Sequence, residues 1–310
     1  MDSEEAEDHP KLPRRQQGSQ PQHLLLTILG DFWYARRECL PTRALVTLLG
    51  EFGVSHQGSR TAISRLVQRG LLECNGTRGR GGYQLTSYAD SVLRDGLRRI
   101  SQFGSSGKDW DGEWTLVTYS IPESQRHLRH MLRTRLRWLG FAPLYNGSWV
   151  SPWDRADEVA LLLSELKIFS VSIFRAKLSQ SSPDNPVSAW DLEALAVAFN
   201  EFIEEFAPLL KRVDAGDIGS AEALRKRTFV MDAWRRFPGI DPDLPRELLP
   251  SDFPRDRAHA VFSEIYCALG PMAESRVRHL LMPCAPEEAR LASHHTLTTW
   301  TGAQPPERSM

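Results

Sequence analysis

The sequence predicts an α+β protein with three folded parts in series along the chain. Before residue 103, a helix-turn-helix pattern leads into two short strand patterns. Between residues 113 and 178, strands and helices alternate as β-α-β-β-α-β, an order typical of a ferredoxin-like unit. From residue 188 to residue 282, apolar residues recur at helical spacing. We therefore expect an N-terminal winged helix-turn-helix, a ferredoxin-like middle domain and an α-helical C-terminal domain.

Changes in composition mark the boundaries between these parts. The first 21 residues contain few apolar side chains, so burial cannot repay the entropy cost of ordering them. The stretches GSSGKDWDG (104–112) and QSSPDNPV (180–187) have the composition of linkers. The expected parts are a disordered tail (1–21), a winged-helix domain (22–103), a middle domain (113–178), a helical domain (188–282) and a loosely ordered tail (283–310).

The stretch Ser55–Thr86 carries the clearest functional signal. Gly53 ends one predicted helix, and Ser55 can cap the next, which runs to Arg69. An apolar stripe predicts the buried face of that helix: Ala62, Ile63, Leu66 and Val67. An outward face of Ser, Thr, Gln and Arg suits contact with base edges and phosphates, because all four donate hydrogen bonds. The predicted DNA-reading residues are Gln57, Arg60, Thr61, Ser64, Arg65 and Gln68.

Two strand patterns after this helix predict a β-hairpin wing. Gly70 stops the helix, and the strands are Leu71–Asn75 and Gly82–Thr86. The turn between them carries Arg78 and Arg80 and almost no bulk. A tip of this kind can enter a minor groove, so we predict that both arginines contact DNA.

The distribution of charge supports this assignment better than the total does. The whole chain has a net charge of −1, which alone argues against a nucleic-acid partner. Residues 22–103 hold 11 Lys/Arg against 6 Asp/Glu, and residues 113–178 hold 9 against 6. Residues 188–310 hold 14 against 19. The basic charge therefore lies where the predicted reading helix lies.

The middle domain lacks the residues that catalysis would need. Its predicted first strand, Trp114–Ile121, ends without a carboxylate, whereas metal-assisted phosphodiester cleavage needs acidic oxygen ligands. The domain is otherwise similar to the small ferredoxin-like nucleases associated with CRISPR systems, which use an aspartate at that point. His127 and His130 lie three residues apart on the predicted helix Ser124–Leu139 without a Cys or acidic partner. We predict no catalytic residue, no metal site, no cofactor and no enzymatic activity.

Arginines also line this predicted helix, at positions 126, 129, 133 and 137. A solvent-exposed face is the default explanation for such a run. Contact with nucleic acid or with the acidic surface of a partner protein stays open. The other elements of the middle domain are also predicted from the sequence. The dipeptide Asn146-Gly147 indicates a hairpin between strands at 141–145 and 148–151. Apolar runs predict a helix at 155–166 and a last strand at 169–177.

The C-terminal domain is predicted from apolar spacing to contain four helices, separated in the middle by a proline-rich loop. They are Ala189–Val213, Ser220–Phe237, Arg257–Leu269 and Glu274–Leu281. The four cysteines are scattered, which fits a reducing compartment and argues against a zinc site. No signal peptide is visible, and apolar runs are far shorter than the roughly 20 residues that span a bilayer. We therefore expect a cytoplasmic protein without membrane contact.

Three segments of the chain match a known pattern. They are SRTAISRLVQRGLL with a wing ending in YQLT, WDGEWTLVTYSIPE with LGFAPLYNGSWVSPW, and FPGIDPDLPRELLPSDFP. Over residues 22–282 the chain thereby resembles the PaaX-type transcriptional regulators, the repressors of bacterial phenylacetate degradation. The resemblance implies a homodimeric repressor of an aromatic-acid catabolic pathway. It also implies release from double-stranded operator DNA by an acyl-coenzyme A such as phenylacetyl-coenzyme A.

An acyl-coenzyme A effector requires cations for its phosphates and an apolar slot for its acyl group. Basic residues beside aromatic ones occur in the predicted helix Ser220–Phe237, next to the third matching segment. The candidate effector-binding residues are Arg225, Arg227, Trp234 and Arg235.

Two other functions remain as alternatives. A ferredoxin-like ribonuclease or toxin with an accessory winged helix would cleave RNA in the presence of a metal ion, although the missing carboxylate argues against it. A protein-interaction module whose winged helix no longer meets DNA would elute from heparin without dependence on salt.

Overall fold

The computed structural model describes residues 20–36, 38–75, 81–104, 109–179 and 186–297. Within these ranges the chain forms helices and two small antiparallel sheets, one of three strands and one of four. The predicted α+β class is therefore confirmed. None of the helices in these ranges combines the length and apolarity that crossing a membrane requires.

In its described residues, the N-terminal part contains four α-helices and the three-stranded sheet. Its elements are α1 (Pro21–Phe32), β1 (Leu40–Pro41), α2 (Thr42–Gly50), α3 (His56–Gln68), β2 (Leu72–Asn75), β3 (Gly82–Leu85) and α4 (Ser87–Gln102). Strands β2 and β3 form an antiparallel hairpin, and β1 pairs with the other edge of β3 so that Leu40 lies opposite Tyr83. The sequence pattern does not predict β1, because two residues are too few to show a period.

A cap and two glycines fix the ends of α3. The Gly58 N–H donates to Ser55 Oγ at 3.1 Å, so the predicted N-cap is confirmed. Gly53, in the turn before α3, has φ +76°, and Gly70, after α3, has φ +64°. These left-handed conformations favour glycine because it has no Cβ. Both chain reversals around α3 are thus encoded locally.

The middle part has the element order β-α-β-β-α-β. Its elements are β4 (Glu113–Tyr119), α5 (Arg126–Trp138), β5 (Ala142–Tyr145), β6 (Ser148–Ser151), α6 (Ala156–Glu165) and β7 (Val171–Lys177). The strand order is β5-β6-β4-β7, and every neighbouring pair is antiparallel. Val117, Leu132 and Trp149 belong to one core built from the sheet and both helices.

The C-terminal part is helical, and one predicted break is absent. Its helices are α7 (Leu192–Asp214), α8 (Ser220–Trp234), α9 (Arg255–Leu281) and α10 (Pro286–Leu291). The prediction of separate helices Arg257–Leu269 and Glu274–Leu281 is wrong, because α9 continues through Pro271. The side chains of Ala273 and Val277 beyond the proline are fully buried, and their packing overrides the local break signal.

Residues 284–297 also differ from the expected loosely ordered tail, whose residues 298–310 lie outside the described part of the chain. Helix α10 lies within this stretch, and Ala285, Ala289 and Ala292 are buried. The sequence did not predict this packing because alanine is small and gives a weak apolar signal, although these three alanines are fully or almost fully buried. The expected disordered tail 1–21 lies outside the described residues except for its last two positions.

By internal contacts the chain divides into two units. Unit 1 comprises Met1–Gln102, Phe206–Arg235 and Ala260–Met310, and unit 2 comprises Phe103–Glu205 and Arg236–His259. The division falls inside α7 and inside α9. The domain boundaries expected from composition stay a prediction.

One hydrophobic core in unit 1 joins the N-terminal helices to the C-terminal helices. Leu25 of α1, Leu45 of α2 and Leu66 of α3 are fully buried in it. Leu224 of α8 and Val277 of α9 are fully buried in the same cluster. The helix predicted to read DNA and the last helices of the chain therefore share one core.

A buried ion pair crosses this core. Asp31 accepts two hydrogen bonds from Arg227, each at 2.7 Å, and a third from the Tyr266 hydroxyl at 2.7 Å. Arg227 is fully buried and also donates to the backbone carbonyls of Tyr266 and His295. Burial alone would lower the pKa of the Arg227 guanidinium, but Asp31 and Tyr266 outweigh it and hold that pKa above its ordinary value.

We expect Arg227→Met to lower the free energy of unfolding by about 3–5 kcal/mol, because it leaves the Asp31 carboxylate buried without its counter-ion. Combining it with Asp31→Leu should recover part of the loss, since no charge is then stranded. Urea unfolding measures both. The control is Arg98→Met, whose arginine is 64% exposed and should matter by less than about 0.5 kcal/mol. Equal losses in Arg227→Met and Arg98→Met would contradict the prediction.

In unit 2, a proline-rich loop buries a carboxylate. Asp241 accepts a hydrogen bond from the Asp243 N–H at 2.7 Å and lies 3.9 Å from Nη1 of Arg255. The Asp241 and Arg255 side chains are both almost fully buried. Burial raises the pKa of Asp241 to about 6, although Arg255 opposes this shift.

Asp241 should make unfolding depend on pH. Because its pKa is higher in the folded protein than in the unfolded chain, it favours folding at low pH, and this contribution is lost as pH rises through about 6. Between about pH 5 and about pH 7, the wild type should lose about 1 kcal/mol of stability relative to Asp241→Asn. Chemical unfolding of both proteins across this range measures the difference, and a constant difference would refute the assignment.

Candidate nucleic-acid interface

The outer face of α3 presents six polar or cationic side chains to solvent. All six are exposed, and together they line one shallow open depression along the helix. They are Gln57, Arg60, Thr61, Ser64, Arg65 and Gln68. The structure thus brings together every residue of α3 that the sequence predicts to face DNA.

The opposite face of α3 anchors the helix in the core. Ala62, Ile63 and Leu66 are buried, as the apolar stripe predicts. Ser59 is also fully buried, and its hydroxyl donates to the Ser55 carbonyl at 3.0 Å. The outer side chains therefore project from a backbone that packing holds in place, a condition for accurate recognition of base edges.

The exposed set combines charge with groups that both donate and accept hydrogen bonds. Arg60 and Arg65 are exposed, and among the residues that the structure describes neither has an ion-pair partner. Thr61 Oγ1 donates to the Gln57 carbonyl at 3.0 Å and keeps its lone pairs as acceptors. Guanidinium, amide and hydroxyl groups on one surface are the groups that contact phosphates and bases in protein–DNA complexes.

The hairpin β2–β3 is tied to the end of α3. The Thr86 hydroxyl donates to the Gly70 carbonyl at 2.6 Å and accepts from the Ala89 N–H at 3.0 Å. One side chain thus links the turn after α3 to the start of α4. Arg78 and Arg80, which the sequence places at the tip of the wing, lie outside the described residues.

Two of the candidate effector-binding residues, Arg225 and Arg235, are partly exposed. Arg225 donates to Glu51 at 2.8 Å, and Glu51 also accepts from Arg276 of α9 at 2.8 Å. Arg235 is ion-paired with Asp232 in the preceding turn. Because 40% of the Arg225 side chain and 30% of the Arg235 side chain stay accessible, both can meet an anion from solution.

The other two candidates, Arg227 and Trp234, are fully buried. Arg227 is the counter-ion of Asp31, and Trp234 stacks on Phe262 with ring centroids 4.9 Å apart. A small molecule can reach either side chain only if the core opens. Their role in effector binding is untested and stays a prediction.

His127 and His130 are exposed on α5. In the part of the chain that the structure describes, no group of three or more His, Cys, Asp or Glu side chains is placed to hold a metal ion. The absence of a catalytic residue stays a prediction.

Comparison with protein-family models covers three consecutive stretches of the chain. Residues 20–89 match the model of PaaX-like proteins, residues 107–187 match the central Cas2-like domain of PaaX protein, and residues 190–279 match the PaaX-like C-terminal domain. The chain belongs to the PaaX family. The resemblance carried by the three sequence segments is therefore confirmed.

Two known proteins illustrate the PaaX relationship. Transcriptional repressor PaaX of Escherichia coli (strain K12) is 26% identical over 259 residues, which cover 81% of this chain and 80% of the relative. A solved structure of an uncharacterised protein from Mycobacterium tuberculosis is similar to this chain, with a TM-score of 0.56 and 20% sequence identity. The similarity covers 84% of this chain and 98% of the M. tuberculosis chain. At that identity the second likeness shows a common fold alone.

Three residues that hold the C-terminal arginines were missed by reasoning from the sequence: Asp31, Glu51 and Tyr266. For Asp31 a signal exists, because a lone acid in the apolar run LLLTILGDFW requires a buried partner of opposite charge. Glu51 follows α2 and Tyr266 lies within α9, where such residues are ordinary. Neither position carries a signal in the sequence.

Proposed function

We propose that the protein is a DNA-binding transcriptional repressor in which α3 reads a double-stranded operator from the major groove. The observation that carries the proposal is the exposed six-residue face of α3, on a helix whose other side is buried. In this interpretation α1–α3 and the hairpin form a winged helix-turn-helix, and β4–β7 with α5 and α6 form a ferredoxin-like domain. The name of the Escherichia coli relative supports the repressor function. No catalytic step is assigned to the protein.

The proposed repressor acts as a homodimer. A dimer places two copies of α3 in successive major grooves of a near-palindromic operator, about 34 Å or a multiple of it apart. Arg60 and Arg65, together with Arg78 and Arg80 of the wing, supply contacts to phosphates or to the minor groove. Binding that depends on these arginines weakens as salt is added.

The proposal includes the trigger, an acyl-coenzyme A such as phenylacetyl-coenzyme A that signals an aromatic-acid catabolic pathway. Support comes from the family resemblance and from the accessible arginines of α8 and the residue after it. Arg225 bonds to Glu51 after α2, and Arg235 bonds to Thr27 of α1 at 3.3 Å. A coenzyme A phosphate that draws either arginine from its partner disturbs the helices that carry α3, which favours release from DNA.

We expect Arg60→Ala and Arg65→Ala each to weaken operator binding by about 1–3 kcal/mol, or about 5- to 150-fold, because each removes a hydrogen-bonding cation from the reading face. Genomic fragments selected by the purified protein supply the operator, and a mobility-shift assay measures the affinity.

The control for this experiment is Arg98→Ala, on an exposed arginine of α4. Circular dichroism verifies that all variants fold. Full operator affinity in both α3 variants would rule out α3 as the reading helix. Metal-dependent cleavage of RNA by the purified wild type would favour the nuclease alternative instead.

Phenylacetyl-coenzyme A is expected to release the wild type from its operator. The double variant Arg225→Gln/Arg235→Gln should need at least about tenfold more ligand, because it loses two charge-assisted contacts to phosphate. Lys211→Gln, on an exposed lysine of α7, is the matched control. If the double variant is released by the same ligand concentration as the wild type, these arginines do not belong to the effector site. If no acyl-coenzyme A releases the wild type from DNA, the proposed class of effector is wrong.

A further inference from the structure

We propose that α5 carries a second surface that contacts the phosphate backbone of DNA. The inference rests on the proposed function, because the partner in both is DNA. The surface, named the α5 basic face, consists of side chains that are all exposed. They are Arg126, His127, His130 and Arg137.

The composition of α5 is one-sided. Its thirteen residues include five arginines and two histidines and no acidic residue. Leu132 and Leu136, fully buried, hold the helix against the sheet. The cations therefore divide between the flanks of the helix and its outer side.

Partners within the fold explain the flanking arginines. Arg129 donates to Glu123 at 2.6 Å, and Arg133 donates to the Tyr119 hydroxyl at 3.0 Å. Arg137 lies over the Trp149 ring, 5.4 Å from its centroid, and is still exposed. Among the residues that the structure describes, neither Arg126 nor Arg137 has a hydrogen-bond or ion-pair partner. Folding thus leaves the positive charges of Arg126 and Arg137 without an anion.

The outer charge opposes the stability of its own helix. Arg126 is the first residue of α5, where the positive end of the helix dipole disfavours a cation, and the nearby carboxylate of Glu123 is bonded to Arg129. Arg133 and Arg137 are four residues apart, a spacing at which like charges repel. An anion bound from outside relieves both effects, so the arrangement favours a polyanionic partner.

DNA phosphate is the anion that these residues favour. Every Lys or Arg position in α5 is arginine, and the guanidinium group pairs with phosphate oxygens in a bidentate way that lysine cannot match. Arg126 and Arg137 lie about 17 Å apart along the helix axis. Duplex DNA carries one charge per about 1.7 Å of its axis, so a surface of this length meets several phosphates.

The test removes two charges from the α5 basic face with Arg126→Gln/Arg137→Gln. The matched control, Lys167→Gln/Lys177→Gln, removes two charges from exposed positions of the same middle domain. Glutamine keeps a high helix propensity, and circular dichroism verifies that each variant folds. Affinity is measured for the selected operator fragment and for an unrelated duplex of equal length, from about 50 to about 200 mM salt.

The α5 double variant is expected to bind both duplexes about tenfold more weakly at the lowest salt, because phosphate contacts carry no sequence information. The slope of log affinity against log salt should fall in magnitude by about 2, one for each lost contact. The lysine control should retain the affinity and slope of the wild type.

Three results would overturn the inference, and they differ from one another. If the α5 variant binds DNA with the affinity and salt slope of the wild type, α5 does not contact DNA, and the function proposed for α3 is unaffected. Failure of the wild type to bind any duplex at low salt overturns both proposals. Because the exposed Met131 and Trp138 also lie on α5, an anionic membrane is the competing partner. Phosphatidylserine vesicles that bind the wild type but not the variant, with DNA binding unchanged, would reassign the face to membranes.

Discussion

The buried ion pair between Arg227 and Asp31 is the constraint on which unit 1 depends. The Arg227 guanidinium meets four acceptor atoms, which lie on α1, on α9 and at His295 near the end of the described chain. No water can replace a lost partner at a fully buried charge, so each of these elements has little freedom to move. Gly270 shows how closely they approach, since a Cβ there would collide with the His294 ring.

This constraint gives a physical connection between the C-terminal helices and α3, the proposed reading helix. The buried face of α3 shares a hydrophobic core with Leu224 of α8 and Val277 of α9, and Arg225 adds a polar contact to Glu51 after α2. Packed cores pass between discrete arrangements and do not deform continuously. A ligand that binds one arrangement of α8 better than another therefore biases α3 by the same difference in free energy.

Local sequence patterns predicted the structural features that depend on a few neighbouring residues. The Ser55 cap, the stop at Gly70 and the apolar stripe of α3 all lie within one short stretch, so the outer face followed from the sequence. Strand β1 exists because β3 offers an edge, and α9 continues past Pro271 because the residues beyond it are buried. Such tertiary contacts join residues that are far apart in the sequence, so a local pattern cannot show them, and they override local secondary-structure propensity.

Arginines that look alike in the sequence have different roles in the fold. Arg227 meets Asp31 across 196 residues of chain, and Arg225 meets Glu51 across 174. The charge of Arg227 is balanced by Asp31 inside the protein and adds little to the field outside it. Arg225 shares the single carboxylate of Glu51 with Arg276 and stays partly exposed. The described residues offer no such partner to Arg60 or Arg65. The basic surface proposed to meet DNA is therefore the charge left after the fold has paired its own carboxylates, and counting arginines along the chain cannot locate it.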